Sequence, residues 1–346
     1  MKKLFFLFQK IKKINEMDIN VKNLILFTGA GFTKNFGGLL GSEMWSLIFN
    51  HPLIQNNQKL RDLLSSVSNY EWAYNIVLND KGYGDEEKKI VKQVMEDAYK
   101  DLDDTLKKWN FNNDNPNSLN IYGLKGDFLT LFAGSGQEQG FIFTLNQDIF
   151  MERQHFNYTP LGMSRLFHTP IWDFKREHFK TTPDTEGVKS LQDISSFGNL
   201  LYVKLHGSYG WLSSNGENQM VIGGEKLEYI QKEPLLKWYL DILKEAIKQG
   251  AKKFVIIGYG FNDSHINDIL LEGAKKYGLK FYIINPSSID DFRAKIEKIF
   301  KKEGDFKIFW KALGGYFPHN LTEIFPHDQN QRPTVLFQNI KRAITS

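Results

Sequence analysis

The 346-residue chain contains no cysteine. Disulfides, thiolate nucleophiles, iron–sulfur clusters and cysteine-ligated zinc are excluded, so a structural zinc would have to rest on histidine and carboxylate. The compartment stays undecided by this alone. Charge of one sign is also scarce: 44 Lys and Arg against 40 Asp and Glu leave a formal net charge of +4, without a strongly basic block. Charge therefore does not indicate direct nucleic-acid binding. Long apolar runs are the third absence, since none approaches the ~20 residues of a membrane span. The basic start MKKLFFLFQKIKK has the flavour of a secretory signal, but its apolar stretch Leu4 to Phe8 is too short, and lysines follow where a small-residue cleavage site belongs. A cytoplasmic protein without membrane attachment is expected. Its first sixteen residues read either as a disordered extension or as the result of a true start at Met17.

What is present is ordinary for a soluble globular protein, with hydrophobic residues at 41% and charged ones at 24%. Aromatics are plentiful at 14%, including 28 Phe, and part of them is expected at an interface; a homo-oligomer is expected. The length suits one large α/β domain with an appendage, or two average domains. Five short runs are continuously apolar and β-branched or aromatic: Leu24 to Phe27, Phe141 to Thr144, Leu201 to Leu205, Phe254 to Ile257 and Phe281 to Ile284. Such runs predict strands covered on both faces, as in a parallel sheet. Each ends in a polar or Gly-rich turn, namely TGAGFT, LNQD, HGS, GYGFND and NPSS, and strand ends of an open α/β sheet converge on one crevice.

Leu235, Leu236, Tyr239, Leu243 and Ile247 form a helical stripe closing at Gly250, and a second helix is expected from about His265 to Lys276. Helix, strand, helix, strand in that order favours a Rossmann-like, doubly wound parallel sheet over a barrel or sandwich. From about residue 41 to 131 no comparable strand occurs. Ile90, Val91, Val94, Met95, Ala98, Leu102 and Leu106 recur at helical spacing there, which predicts an inserted helical module. Asn112 to Ser118 reads as a loop, and residues 151 to 200 as a long irregular crossing near the site mouth. The expected division is an N-terminal extension (1–20), a Rossmann-like domain (21–300) and a C-terminal extension (301–346).

Each turn has both a functional and a structural reading. In TGAGFT, Gly29-Ala30-Gly31 would let the backbone approach a diphosphate, or simply make a tight turn. The full dinucleotide fingerprint fails because position 34 is Lys and no acidic residue ends a second strand ~20 residues on, which disfavours hydride transfer. In TLNQD, Asn146 and Asp148 can face one crevice, the amide orienting water or a ribose hydroxyl and the carboxylate a carboxamide or developing cation; the alternative is a capped turn. In KLHGS, His206 follows a strand as a candidate general base and Gly207 leaves room for substrate, unless the histidine is structural. The others, His51, His155, His168, His178, His265, His319 and His327, lack metal-ligand spacing, so no metal is expected. GYGFNDSHIN opens with a second G-x-G and sets Asn262, Asp263, His265 and Asn267 at a helix start, where Asp263 or Ser264 would cap. INPSS supplies Asn285, suited to ribose hydroxyls.

Taken in order, GAGFT, TLNQD, KLHGS, GYGF and IN resemble the sirtuin (silent information regulator) superfamily, over roughly residues 22–34, 141–148, 201–212 and 254–286. The resemblance implies an NAD-binding Rossmann-like domain that breaks the nicotinamide–ribose bond. It implies that Gly29, Ala30, Gly31 and Phe32 line the dinucleotide, with Thr33 near the phosphates. Asn146 would orient the attacking group, Asp148 would engage the nicotinamide end and His206 would be the base. Gly258, Tyr259, Gly260 and Asn285 would hold the phosphates and the adenosine ribose.

Two departures matter. Sirtuin deacylases carry a four-cysteine zinc module after the histidine motif, whereas residues 209–234 contain no cysteine. Their G-I-P-D-F-R after the first glycine turn is replaced by FGGLLG, Phe36 to Gly41. Both parts belong to acyl-lysine recognition, so the chain is similar rather to the bacterial sirtuin-like NADases of anti-phage defence. That resemblance implies NAD+ as substrate, no metal, regulation by oligomerisation or a trigger, and a HerA-type ATPase as a possible partner. The competing expectations are an NAD- or ADP-ribose-sensing module without turnover, and a deacylase, ADP-ribosyltransferase or cyclase.

Overall fold

Level strand ends are the feature that builds the site. The computed structural model describes residues 19–108, 119–153, 156–163, 179–191, 194–213, 215–327 and 333–346. Nearly all of the expected N-terminal extension, the loop Asn112 to Ser118, and His155, His168 and His178 lie outside the described residues. The strands are β1 (Leu24–Thr28), β2 (Gly140–Thr144), β3 (Lys180–Thr181), β4 (Leu200–Lys204), β5 (Gly207–Leu212), β6 (Asn218–Met220), β7 (Lys253–Ile257), β8 (Lys280–Ile284) and β9 (Leu313–Phe317).

Six strands form one sheet in the order β4-β2-β1-β7-β8-β9, every neighbouring pair parallel. This is the expected Rossmann-like α/β architecture. The five apolar runs are β1, β2, β4, β7 and β8, and β1 and β2 are buried at every position, as strands covered by helices on both faces must be. The chain first builds outward from β1 through β2 to β4, then crosses to β7 on the other side of β1. That reversal puts a crevice at the carboxyl end of β1. The register sharpens it: Lys204, Thr144, Thr28, Ile257 and Ile284 pair successively across one row. All five polar turns thus leave the sheet at the same level.

The helices between β1 and β2 are α1 (Ala30–Lys34), α2 (Gly41–Phe49), α3 (Pro52–Gln55), α4 (Gln58–Ser66), α5 (Tyr70–Asn79) and α6 (Asp85–Lys108). Helix α6 starts with Asp85, Glu86 and Glu87 against the positive end of its dipole, and buries Val91, Val94, Met95, Ala98, Tyr99, Leu102 and Leu106. This is the inserted helical module, completed by a π-helical turn (Gly123–Phe128) and a 3-10 turn (Leu129–Phe132). Further on come α7 (Thr185–Ser190), α8 (Lys226–Lys232), α9 (Pro234–Lys248), α10 (Ser264–Lys276), α11 (Ile289–Ile299), α12 (Glu303–Ala312), α13 (Leu321–Ile324) and α14 (Val335–Thr345). The stripe of α9 is buried from Leu235 to Ile247.

The main sheet also takes a strand from residues 301–346, the expected C-terminal extension. Strand β9 pairs with β8 as the sheet edge. Its sequence LGGYF is only partly buried, so it lacks the continuous apolar run that marks the inner strands. A second sheet, β3-β5-β6, draws its strands from both sides of β4 in the chain.

Candidate active site

A cavity of about 1060 Å3 opens where the turns after β1, β2, β4 and β7 meet. Of the residues singled out in the sequence, Gly29, Ala30, Gly31, Asn146, Asp148, His206, Gly258, Tyr259 and Gly260 line it, and so do Asn262, Asp263 and His265 of the GYGFNDSHIN turn. Phe32 points into the core instead, its ring 5.6 Å from that of Phe36. Asn285 stands outside the lining, its Oδ1 accepting from Ser287 N–H (2.9 Å) and its own N–H donating to Phe317 O of β9 (3.1 Å). No described residue of the 151–200 segment lines the cavity; residues 164–178, the centre of the crossing expected near its mouth, lie outside the described residues. That segment forms β3 and α7, and β3 pairs with β5.

The glycine turns are interlocked. Gly31 N–H donates to Gly258 O (3.0 Å), and a Cβ on Gly31 would lie 2.6 Å from Gly258 Cα, while one on Gly258, at φ +68°, would lie 2.2 Å from Phe32 N. Backbone meets backbone here, so these glycines are required by each other before any ligand arrives. Gly207, at φ +70°, also serves the fold: a Cβ there would meet Gln219 O at 2.1 Å. The room it leaves is filled by β6 and not by substrate.

Thr33 is buried beneath the cavity, where Oγ1 donates to Asp148 Oδ2 (3.1 Å) and accepts from Asn146 Nδ2 (3.4 Å). It fixes the two motif residues. Asp148 Oδ1 accepts from Phe150 N–H (3.0 Å), so both carboxylate oxygens are engaged. Burial pushes its pKa up, against the opposing pull of Lys204. Lys204 is fully buried and donates to Glu152 (2.7 Å) and to the Asp148 carbonyl. Between the two motif residues, Gln147 donates to Val221 O (2.8 Å) and accepts from the Tyr99 hydroxyl of α6. That tie between strand loop and inserted module carries no signal in the sequence.

His206 is 3% exposed. Burial drives its pKa down to about 3, with Lys226 and His265 lowering it further and Asp263 opposing. Its Nε2 lies 3.1 Å from Nε2 of His265, in the first turn of α10. Asp263 is the N-cap residue of that helix, yet its side chain makes no cap hydrogen bond; the expected cap is absent. The carboxylate instead meets Lys226 Nζ at 2.7 Å, and Lys226 also holds Glu71 of α5 at 2.6 Å. Burial opposes ionisation of Asp263, but the imidazoles and Lys226 outweigh it and lower its pKa. Burial raises that of Glu71 despite Lys226.

Tyr259 OH donates to Asn267 Oδ1 (2.9 Å) and Asn267 Nδ2 to Phe261 O (2.7 Å). These bonds hold Phe261 at φ +59°, a conformation that a large side chain adopts only when its surroundings demand it. Lys295 of α11 also lines the cavity. It has no hydrogen bond or ion pair among the described residues, and burial lowers its pKa.

His206, Asp263 and His265 offer donor atoms all within 4.8 Å of one another, the one such group among the described residues. The sequence leads to no expectation of a metal because its histidines lack ligand spacing, and two imidazoles 59 positions apart in the chain cannot be paired by spacing. Lys226, Glu71 and Lys295 were missed for the same reason. No helix among the described residues is long and apolar enough to cross a membrane.

A search of the curated proteins gives no match. Residues 140–304, from the first residue of β2 to the first turn of α12, match the family model of the SIR2-like domain, which points to NAD-related activity in general. The match takes in Asn146, Asp148, His206 and the second glycine turn, and over these residues the chain is similar to the SIR2-like domain.

Proposed function

We propose that the protein is an NAD+ hydrolase that cleaves the nicotinamide–ribose bond to give nicotinamide and ADP-ribose. The observation that carries this reading is the convergence of Asn146, Asp148 and His206 on one cavity of dinucleotide size, opposite two glycine turns. Nicotinamide in NAD+ is already cationic, so its departure neutralises it and leaves an oxocarbenium-like ribose. Asp148 supports that developing charge, Asn146 positions the water, and neutral His206 takes its proton. The substrate diphosphate and Asp263, both anionic, raise the proton affinity of His206 in the complex. Gly29, Ala30, Gly31, Gly258, Tyr259 and Gly260 line the nucleotide end, where Lys295 meets an anionic group. Asn285 then acts from outside the lining, on the ribose edge, and Phe32 and Thr33 act through the turn they anchor.

An NAD-depleting enzyme needs restraint. The anti-phage role, homo-oligomer and HerA-type partner implied by the resemblance belong to this proposal. Segment 209–234 supplies β5, β6 and α8 in place of a four-cysteine module, which favours water over an acyl-lysine peptide as acceptor.

Purified protein incubated with NAD+ should yield nicotinamide and ADP-ribose by chromatography, and Asn146→Ala and His206→Ala should each lower the rate ~10² to 10⁴-fold. Undiminished product in both variants would remove the proposed roles. Binding without turnover, also after addition of the neighbouring gene's product, would favour the sensing module instead.

A further inference from the structure

We infer that His206 and His265 work as one two-imidazole base, sharing a proton along Nε2···Nε2, with Asp263 as their fixed counter-ion. The inference rests on the NAD+-cleavage reading for its catalytic consequence, but not for the pair itself.

Two buried imidazoles that face each other through Nε2 at 3.1 Å cannot both carry a proton on the facing nitrogens, nor can both leave them bare without losing the bond. One Nε2–H must donate and the other Nε2 must accept. His206 Nδ1 has no partner among the described residues, so it is the nitrogen left for substrate. When water attacks the anomeric carbon, the glycosidic electron pair leaves with nicotinamide and an O–H bond of the water breaks. Its proton goes to His206 Nδ1, and the Nε2 proton of His206 moves to His265 Nε2. The sum is NAD+ plus water giving nicotinamide, ADP-ribose and one proton.

The charge is better placed on the pair than on His206 alone. The groups facing the imidazoles are Asp263 and Asp268 on α10 and Lys226 on α8. Asp263 is the carboxylate within 4.8 Å of both rings, and it is kept off the helix N-terminus and ionised by Lys226. Glu71 on the far side of Lys226 neutralises part of that ammonium, which limits its repulsion of the imidazolium. His265 thereby acts through His206, as a positioning and proton-holding residue.

The pair can be observed in the full chain carrying 15N-histidine at pH 7. A scalar coupling across the hydrogen bond between the two Nε2 nuclei is expected, with one ring in the Nε2–H form. Absence of that coupling would overturn the pair, as would zinc retained stoichiometrically with both Nε2 nuclei unprotonated. The kinetic arm compares His265→Phe, which keeps a ring without nitrogen, and His265→Gln, which keeps a hydrogen bond. The sign decides the role. Loss of a proton-sharing partner moves the acid limb of the kcat profile to lower pH, whereas loss of a merely repelling neighbour moves it higher. His265→Phe should shift the limb down and lower kcat ~10-fold or more with KM little changed, and His265→Gln should shift it less in the same direction. An upward or absent shift would refute the inference. Should the wild type leave NAD+ intact while the coupling is present, the functional reading fails and the pair stands; turnover without the coupling has the opposite meaning.

Discussion

The cavity has two walls of different origin. One is made of strand ends, where Asn146, Asp148 and His206 each sit within four residues of a buried strand, with Asn146 and Asp148 fixed by Thr33, Phe150 N–H and Lys204. The other is made of the inserted module and the 209–234 segment, which bring Glu71 and Trp72 from α5, Tyr99 from α6 and Lys226 from α8. On the first wall, positions follow from the register of the sheet. On the second they depend on ion pairs and ring contacts between elements that share no strand. A site of this kind keeps its reacting groups on rigid elements and leaves its electrostatics to removable ones.

The largest effect is expected on the strand wall. Lys204 and Glu152 form a pair with side-chain exposures of 0% and 3%, and the Lys204 ammonium also holds the Asp148 carbonyl. Lys204→Met leaves Glu152 buried without its cation, a change that costs about 3–5 kcal/mol in known cases. Chemical denaturation should report a loss of that size, and Lys204→Met with Glu152→Leu should recover much of it. Recovery of stability without recovery of NAD+ cleavage would show that Lys204 also positions Asp148. A loss under ~1 kcal/mol would mean that the strand wall is not the rigid one.

The strand wall is also the part that can be read from the sequence. β-Branched runs followed by polar turns announce parallel strands, and the row from Lys204 to Ile257 turns four local motifs into one site, with the fifth, after β8, level with them but outside the cavity lining. β9 escaped because an edge strand with two glycines and partial burial has no such run. Gly31 and Gly258 were legible as special, but not as partners of each other, since the reason for each lies in the other's backbone. His265 was visible only as a polar residue at a helix start. Its meaning depends on a distance to His206 that no spacing rule encodes, and the same holds for Lys226 with Glu71.

The helical wall should answer to pH in the opposite sense from His206. A histidine whose folded pKa is about 3 against ~6.5 unfolded leaves the unfolded chain the better proton acceptor, so its stability contribution is whole above ~6.5 and falls as pH drops, by about 1.4 kcal/mol per unit. The difference in melting profile between wild type and His206→Gln isolates that slope. In Lys226→Met the cation between Glu71 and Asp263 is gone; with Lys226 only 13% exposed, the expected loss is about 3 kcal/mol. Without the cation that lowers it, the already raised pKa of Glu71 rises further, so the variant loses more stability than the wild type as pH rises through that range. Melting temperatures of wild type and Lys226→Met between pH 5.5 and 8 should therefore diverge toward alkaline pH, and parallel curves would deny the ion pair its role.

Trp72 tests how far the helical wall can be loosened before catalysis notices. Its side chain is 51% exposed and lies over the turn that leads into α8, close enough that a Cβ on Gly224 would come within 2.6 Å of the ring. A half-exposed ring contributes little to folding, so Trp72→Ala should change stability by no more than about 0.5 kcal/mol. Besides its own place in the cavity lining, it reaches the chemistry through Lys226, two residues beyond Gly224, and through the charge that Lys226 balances on Asp263. If ion pairs alone hold that wall, kcat for NAD+ cleavage falls less than ~3-fold, a difference of roughly 0.6 kcal/mol in barrier. A fall of ~10-fold or more at unchanged stability would mean that the ring, and not the salt bridge, sets the position of Lys226, and the contrast between a register-built wall and a charge-built wall would have to be redrawn around it.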